Sequence, residues 1–213
     1  MAVTEITATK FQDMIRVAAH RINKNAEFVN SLNVFPVPDG DTGTNMNLTF
    51  QTGAKAVLES NEDAVGALAK RLGKGLLMGA RGNSGVISSQ LFRGFAKSVE
   101  GKKNLSAQDL ADAFVHGVET AYKAVMKPVE GTILTVAREA AKAGLKAANG
   151  SDDALVVMTA VVKGAKRALA KTPDLLAVLK KSGWLIQAVK DWFSFMKVSV
   201  KACPVKSVQM YMM

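Results

Sequence analysis

A chain of 213 residues, 48% hydrophobic but only 6% aromatic, is long enough to bury one substantial core and rich in the small aliphatic residues of closely packed helices. No apolar run approaches the about 18 residues of a membrane span, and the polar N-terminus lacks a signal-peptide pattern. The net charge of +10 is scattered over helical patterns without an aromatic-interleaved basic patch, so nucleic acid is not expected as a partner.

Residues from about Thr4 to Leu32 predict a long helix, with Phe11, Ile15, Ala18, Ile22 and Val29 on one stripe. His20 on this helix has no ligand set around it and reads as a surface or packing residue. A loop follows, Asn33 to Asp41, stiffened by Pro36 and Pro38. It ends in Asp39-Gly40-Asp41, where the glycine permits a turn that lets both carboxylates face one point. Asp-Gly-Asp alone is equally a surface turn. Hard oxygens at the mouth of a helix suit Mg²⁺, and free N–H groups there suit phosphate.

A second helix is predicted from about Gly43 to Leu58 and a third from about Asp63 to Leu77. Met78 to Gly85 forms a second glycine-rich turn, opening a fourth helix with Ile87, Leu91 and Phe95 buried. Gly82, Asn83, Ser84 and Gly85 would allow close backbone approach to an anion, although a plain inter-helix turn has the same composition. Ser106 and Asp109 form a capping box for a helix to about Met126, with His116 off its apolar stripe. Lys127-Pro128-Val129-Glu130-Gly131-Thr132 interrupts the pattern before a helix from about Thr132 to Ala148, which Thr132 could cap. Asn149-Gly150-Ser151 caps a helix from about Asp152 to Lys171. Thr172-Pro173 then starts an eighth, with Thr as N-cap and Pro at the first helical position.

The run Leu32-Asn33-Val34-Phe35-Pro36-Val37-Pro38-Asp39-Gly40-Asp41-Thr42-Gly43-Thr44-Asn45-Met46 resembles the L-subunit domain of dihydroxyacetone kinases. It is most similar to the variant that forms the N-terminal domain of bacterial fatty acid kinase. Gly82-Asn83-Ser84-Gly85, continuing through Gln90, matches that family's phosphate-holding turn, and Pro128-Val129-Glu130-Gly131-Thr132 matches its base-and-ribose element. The resemblance implies an all-α barrel of about eight antiparallel amphipathic helices over residues 1–183, with ATP and two Mg²⁺ ions at the rim.

By the same resemblance Asp39 and Asp41 hold the metal and carry the chemistry, and Asn33 is a weaker third ligand. Thr42, Gly43, Thr44, Asn45, Gly82, Asn83, Ser84, Gly85 and Thr132 meet the nucleotide. The implied activity makes acyl phosphate from a fatty acid presented by a DegV-type fatty-acid-binding protein, with further C-terminal domains in the natural kinase. Two alternatives stay open: a dihydroxyacetone kinase L-subunit, against which the Asn-Val-Phe-Pro-Val-Pro approach argues, and a non-catalytic helical lipid-binding or interaction module.

The resemblance stops after Gly183, where Trp184-Leu185-Ile186 replaces the family's Val-Val-Asp-Ser-Gly-Gly pattern. A one-base shift of reading frame, with suitable synonymous codons, would restore that segment. Residues 184–213 are therefore expected to be a tail foreign to the fold, partly helical in pattern, and both tryptophans and the single cysteine, Cys203, lie in it. One cysteine builds no disulfide framework, which fits a cytoplasmic protein.

Overall fold

The structure, a computed structural model, describes residues 2–33 and 38–176. Within them the periodic apolar stripes become seven helices: α1 (Ala8–Ser31), α2 (Thr42–Leu58), α3 (Val65–Met78), α4 (Gly82–Ser98), α5 (Ala107–Ala124), α6 (Ile133–Ala148) and α7 (Ala154–Leu175). Each helix packs on the next in the chain. The contacts run antiparallel: Asn47 meets Asn23 and Gln51 meets Ala19 across α1–α2, and Tyr122 meets Arg138 across α5–α6. The expected all-α architecture of antiparallel amphipathic helices is the one observed, with seven of the expected eight or so among the described residues. Among the described residues the only strand-like feature is an isolated bridge between Ile6 and Leu105.

The core joins all seven helices. Leu68, Leu72, Leu76, Leu110 and Met158 are fully buried. Phe95 sits at the hub of an aromatic cluster, with ring centroids 6.4 Å from Phe11, 6.3 Å from Phe92 and 5.6 Å from Phe114. Paired glycines set the closeness of alternate hairpins. A Cβ on Gly75 of α3 would lie 2.8 Å from Gly53 Cα of α2, and one on Gly164 of α7 would lie 2.9 Å from the Glu139 carbonyl of α6. An apolar cavity of about 20 Å³, lined by Leu91, Phe92, Phe114 and Val118 among others, lies between α4 and α5. It is the size of one water and too small for an acyl chain.

Alternation sorts the connections into two ends. The N-termini of α1, α3, α5 and α7 share one end, and backbone bonds cross it. Ile6 and Leu105 exchange two bonds at 2.8 and 3.0 Å, Ala154 donates to Val3, and Val65 and Gly66 donate to Lys103 and Lys102. The N-termini of α2, α4 and α6 share the other end, with Asn33, Asp39–Asp41, the Gly79–Arg81 turn and the Val125–Thr132 segment. This second end is the rim.

Three boundaries differ from expectation. Residues 4–6 are not helical: α1 starts after Thr7, whose hydroxyl accepts from Lys10 N, and the residues before it take backbone partners at Leu105 and Ala154 instead. The cap of α7 is Asp153, not Asn149 to Ser151; its carboxylate accepts from Leu155 N at 2.9 Å and Val3 N at 3.1 Å, while Ser151 supports it by accepting from Asp153 N. Thr172 and Pro173 start no new helix, because α7 runs through them to Leu175. Proline cannot donate to the Leu169 carbonyl four residues back. The Thr172 hydroxyl donates to that carbonyl at 2.7 Å, and Leu176 N closes the final turn on Thr172 O. The expected eighth helix, the foreign tail and Val34 to Val37 of the loop lie outside the described residues.

Candidate nucleotide site at the helix rim

Capping differs sharply between the two ends. At the far end, α1, α5 and α7 carry side-chain caps from Thr7, Ser106 and Asp153. The expected Ser106–Asp109 capping box is present in both directions. The first N–H groups of α3 are taken by the Lys103 and Lys102 carbonyls. At the rim, the N-cap residues of α2, α4 and α6 are Asp41, Arg81 and Thr132, and none makes a side-chain cap bond. Three helix N-termini therefore turn positive dipole ends to one side of the molecule without a cap from their own N-cap residues, an arrangement suited to anions, although the Thr44 N–H of α2 bonds to Asn30.

The structure brings the first two predicted loops together. Thr49, buried on α2, accepts from Arg81 N at 3.1 Å and donates to Asn45 O at 2.7 Å, so it bolts the turn before α4 onto α2. A Cβ on Gly82 would lie 2.7 Å from Asn45 Nδ2, and one on Gly85 would run into Thr49 Oγ1. Gly82 also has φ +59°, a conformation glycine adopts without strain. Gly82 and Asn83 are exposed, Ser84 is half-buried and Gly85 is buried.

On the other loop, Asp39 and Asp41 are both exposed, Thr42 is half-buried at the first position of α2, and Gly43 is buried against α1. Asn45 is half-buried beside Gly82, and Thr44, though exposed, is bonded to Asn30. Asn33 is 9% exposed; its Nδ2 donates to Asp39 Oδ1 at 2.6 Å, while its Oδ1 is buried without a hydrogen-bond partner. A buried amide oxygen with no partner is costly unless something occupies it. Two exposed carboxylates plus that oxygen suit Mg²⁺, which binds through one or two carboxylates and completes its shell with water and phosphate. The residues present fit the ion. Among the described residues no group of three or more His, Cys, Asp or Glu is close enough to hold a metal alone, so phosphate oxygens would have to complete the site.

Thr132 stands apart. It occupies the N-cap position of α6, yet its hydroxyl donates to Val129 O at 2.7 Å rather than capping, and no described hydrogen bond joins it to the other two loops. Its segment is held by a network that sequence reading missed. Arg138 of α6 donates to both Glu130 oxygens at 2.6 and 2.9 Å, Tyr122 of α5 donates to Glu130 at 3.2 Å, and Thr135 donates to Glu130 while accepting from Gly131 N.

The Arg138 guanidinium, followed by the Thr135 hydroxyl, holds the Glu130 carboxyl below its ordinary range. A depressed carboxylate stabilises the fold above its unfolded pKa and loses that contribution as pH falls through the folded value. Glu130→Gln should therefore lower the melting temperature slightly at neutral pH, with the gap closing below about pH 4. The effect is small because Glu130 is 45% exposed. A gap that stays constant into acid would show that the charge of Glu130 is not what holds the turn.

Comparison with known proteins decides the family. The DAK2 domain profile matches residues 36–190, from the segment before Asp39 to beyond the last described helix. The chain belongs to the DAK2 domain family. This DAK2 domain is 55% identical over 181 residues to an uncharacterised protein of Staphylococcus epidermidis and 55% identical over the same length to one of Staphylococcus haemolyticus. A Staphylococcus aureus protein is 54% identical. Each alignment covers 85% of this chain and 33% of the relative, so the chain spans about a third of the length of those proteins. The family places the domain among the DhaL-like, kinase-related nucleotide-binding domains. Among the described residues no helix is long and apolar enough to cross a membrane.

Proposed function

We propose that this DAK2 domain is the Mg-ATP-binding, phosphoryl-donating part of a fatty acid kinase. The observation that carries the reading is that the N-termini of α2, α4 and α6, none capped by its own N-cap side chain, face the same end of the bundle as Asp39 and Asp41. Phosphoryl transfer asks for positioning and charge neutralisation more than for covalent chemistry. Asp39 and Asp41 would hold Mg²⁺, two ions as the family's pattern has it, with the Asn33 oxygen as a third ligand; the bound metal would neutralise the phosphate charge. Thr42, Thr44, Asn45, Asn83 and Ser84 meet the phosphates with the backbone N–H groups of the two turns. Thr132 lies toward the base and ribose.

The acceptor is a fatty acid presented by a DegV-type partner, and the product an acyl phosphate. A carboxylate acceptor is already ionised at neutral pH, so no general base is required. In the longer relatives the remaining chain would supply the further domains. Activity in the cytoplasm follows from this reading.

Calorimetry with a non-hydrolysable ATP analogue, with and without Mg²⁺, tests the core of it. Binding that does not depend on Mg²⁺, or no binding, would sink the metal assignment. Supplying either a lipid-loaded partner or dihydroxyacetone as acceptor then separates the two kinase readings.

Ser84→Ala should weaken the analogue by one hydrogen bond to a charged group, roughly 1.5–3 kcal/mol. Gly85→Val should do worse, because its Cβ meets Thr49 Oγ1 and displaces the turn. Unchanged affinity in both variants would reduce this turn to a connector.

A further inference from the structure

Helix α2 begins without the cap its own sequence offers. Asp41 stands at the N-cap, where an aspartate ordinarily accepts from the backbone N–H of the second or third helical residue. Its side chain makes no such bond. The third N–H, that of Thr44, goes instead to Asn30 Oδ1 at 3.0 Å, and Asn30 Nδ2 returns a bond to Thr44 Oγ1 at 2.9 Å. Asn30 belongs to the last turn of α1. It reaches Thr44 because Gly43 has no side chain: a Cβ there would run into the Ala26 carbonyl oxygen of α1. The cap of α2 is thus supplied by a neighbouring helix.

We infer that Asn30 is a positioning residue that caps α2 in place of Asp41 and so leaves the Asp41 carboxylate available to the cation. This rests on the reading of Asp41 as a metal ligand given above. A carboxylate bound to its own helix N–H groups has its charge and lone pairs drawn back along the helix. Without Asn30, the Thr44 N–H would be an unpaired donor three residues from Asp41, the spacing at which an N-cap side chain bonds. Capping and coordination would then compete for one carboxylate. A neutral amide removes the competition while adding no charge to the site.

The alternative is that Asn30 merely fastens α1 to α2. That seam has other amide bonds of the same kind. Asn47 Nδ2 donates to Asn23 Oδ1 at 2.8 Å and Gln51 Nε2 to Ala19 O at 2.9 Å, both farther from the loop. They provide the control.

The experiment uses the full chain with Asn30→Ala, Asn47→Ala, Asp41→Ala and the double variant N30A/D41A. Affinity for a non-hydrolysable ATP analogue is titrated against Mg²⁺, and melting temperatures are taken without ligand. Asn30→Ala should weaken Mg²⁺-dependent binding about tenfold, as loss of a ligand-orienting group does. Its melting temperature should barely move, because Asp41 takes over the cap. Asn47→Ala should leave the affinity unchanged. Asp41→Ala alone should melt close to the unsubstituted protein, because Asn30 still caps. Adding Asn30→Ala to it should lower the melting point by about 2–4 °C beyond the sum of the single effects.

The inference is overturned if Asn30→Ala binds as tightly as the unsubstituted protein, if Asn47→Ala weakens binding equally, or if the two stability effects simply add. If the unsubstituted protein fails to bind the Mg²⁺ complex, the Mg-ATP reading falls. The ligand-free melting temperatures then still decide whether Asn30 and Asp41 share the cap: additive effects reject it, and non-additive effects support it.

Discussion

Asp39→Ala or Asp41→Ala should cut Mg²⁺-dependent ATP-analogue affinity by at least about 100-fold while leaving the helical circular dichroism intact. The two halves of this expectation come from different features of the same residues. Both carboxylates are exposed. Asp39 accepts one bond, from Asn33, and Asp41 makes no cap bond. Neither side chain packs in the core, so Asp41→Ala should change stability by no more than about 0.5 kcal/mol, whereas Asp39→Ala also strips the buried Asn33 Nδ2 of its acceptor and should cost about 1 kcal/mol. Their charge is a different matter, since a divalent cation among phosphates needs anionic oxygens from the protein side. The isosteric Asn variants should fail almost as badly, because they keep the shape and lose the charge. Titration calorimetry with melting temperatures reads both halves. Normal Mg-ATP binding by a variant lacking both aspartates would place the site elsewhere.

Gly43→Ala should be the more damaging change to the fold. Gly43 is buried near the start of α2, and an added Cβ would run into the Ala26 carbonyl oxygen and lie 2.9 Å from Val29 Cβ. A backbone carbonyl cannot rotate away as a flexible side chain can, so α1 and α2 must separate at the rim. Overpacking of this kind costs typically about 1–3 kcal/mol, or about 2–12 °C for a domain of this size. The same separation would part Asn30 from Thr44 and shift Asp39 and Asp41, so nucleotide binding should be lost as well if the proposed site is right. Asp41→Ala loses binding alone; Gly43→Ala loses binding and stability together. An unchanged melting temperature for Gly43→Ala would mean that the helices do not approach so closely.

Much of this was open to reading in the residues. The stripe of Phe11, Ile15, Ala18 and Val29 placed α1's buried face, and the Ser106–Asp109 box placed the start of α5. Local signals of this kind act over one or two turns, where sequence distance and spatial distance agree. What escaped depends on partners far along the chain. The extended start of the protein is fixed by Leu105 and Ala154, roughly a hundred residues or more away. Pro173 looked like a helix start because the Thr172 hydroxyl's service to the Leu169 carbonyl is invisible in composition.

The same division holds at the site. Asp39, Asp41 and the Gly82–Gly85 turn stand out as runs of unusual residues. Asn30, Thr49 and Arg138 are ordinary polar residues on helices, and only the register of neighbouring helices shows what they hold. The one usable hint was Thr49, a polar residue on the otherwise buried side of α2.

The two ends of the bundle are tied by different means. Backbone bonds cross the far end between Ile6, Leu105, Val3, Ala154, Val65 and Lys103, whereas at the rim the described ties between helices run through side chains such as Asn30 and Thr49. Among the described residues the bundle is therefore tied by backbone bonds at its base and by side-chain bonds at its mouth. Local opening should begin at the mouth, where fewer bonds must break together. A ligand that bridges α2 and α4 there acts as a cross-brace supplied from outside, and its binding energy goes into stiffening the least secured part of the structure.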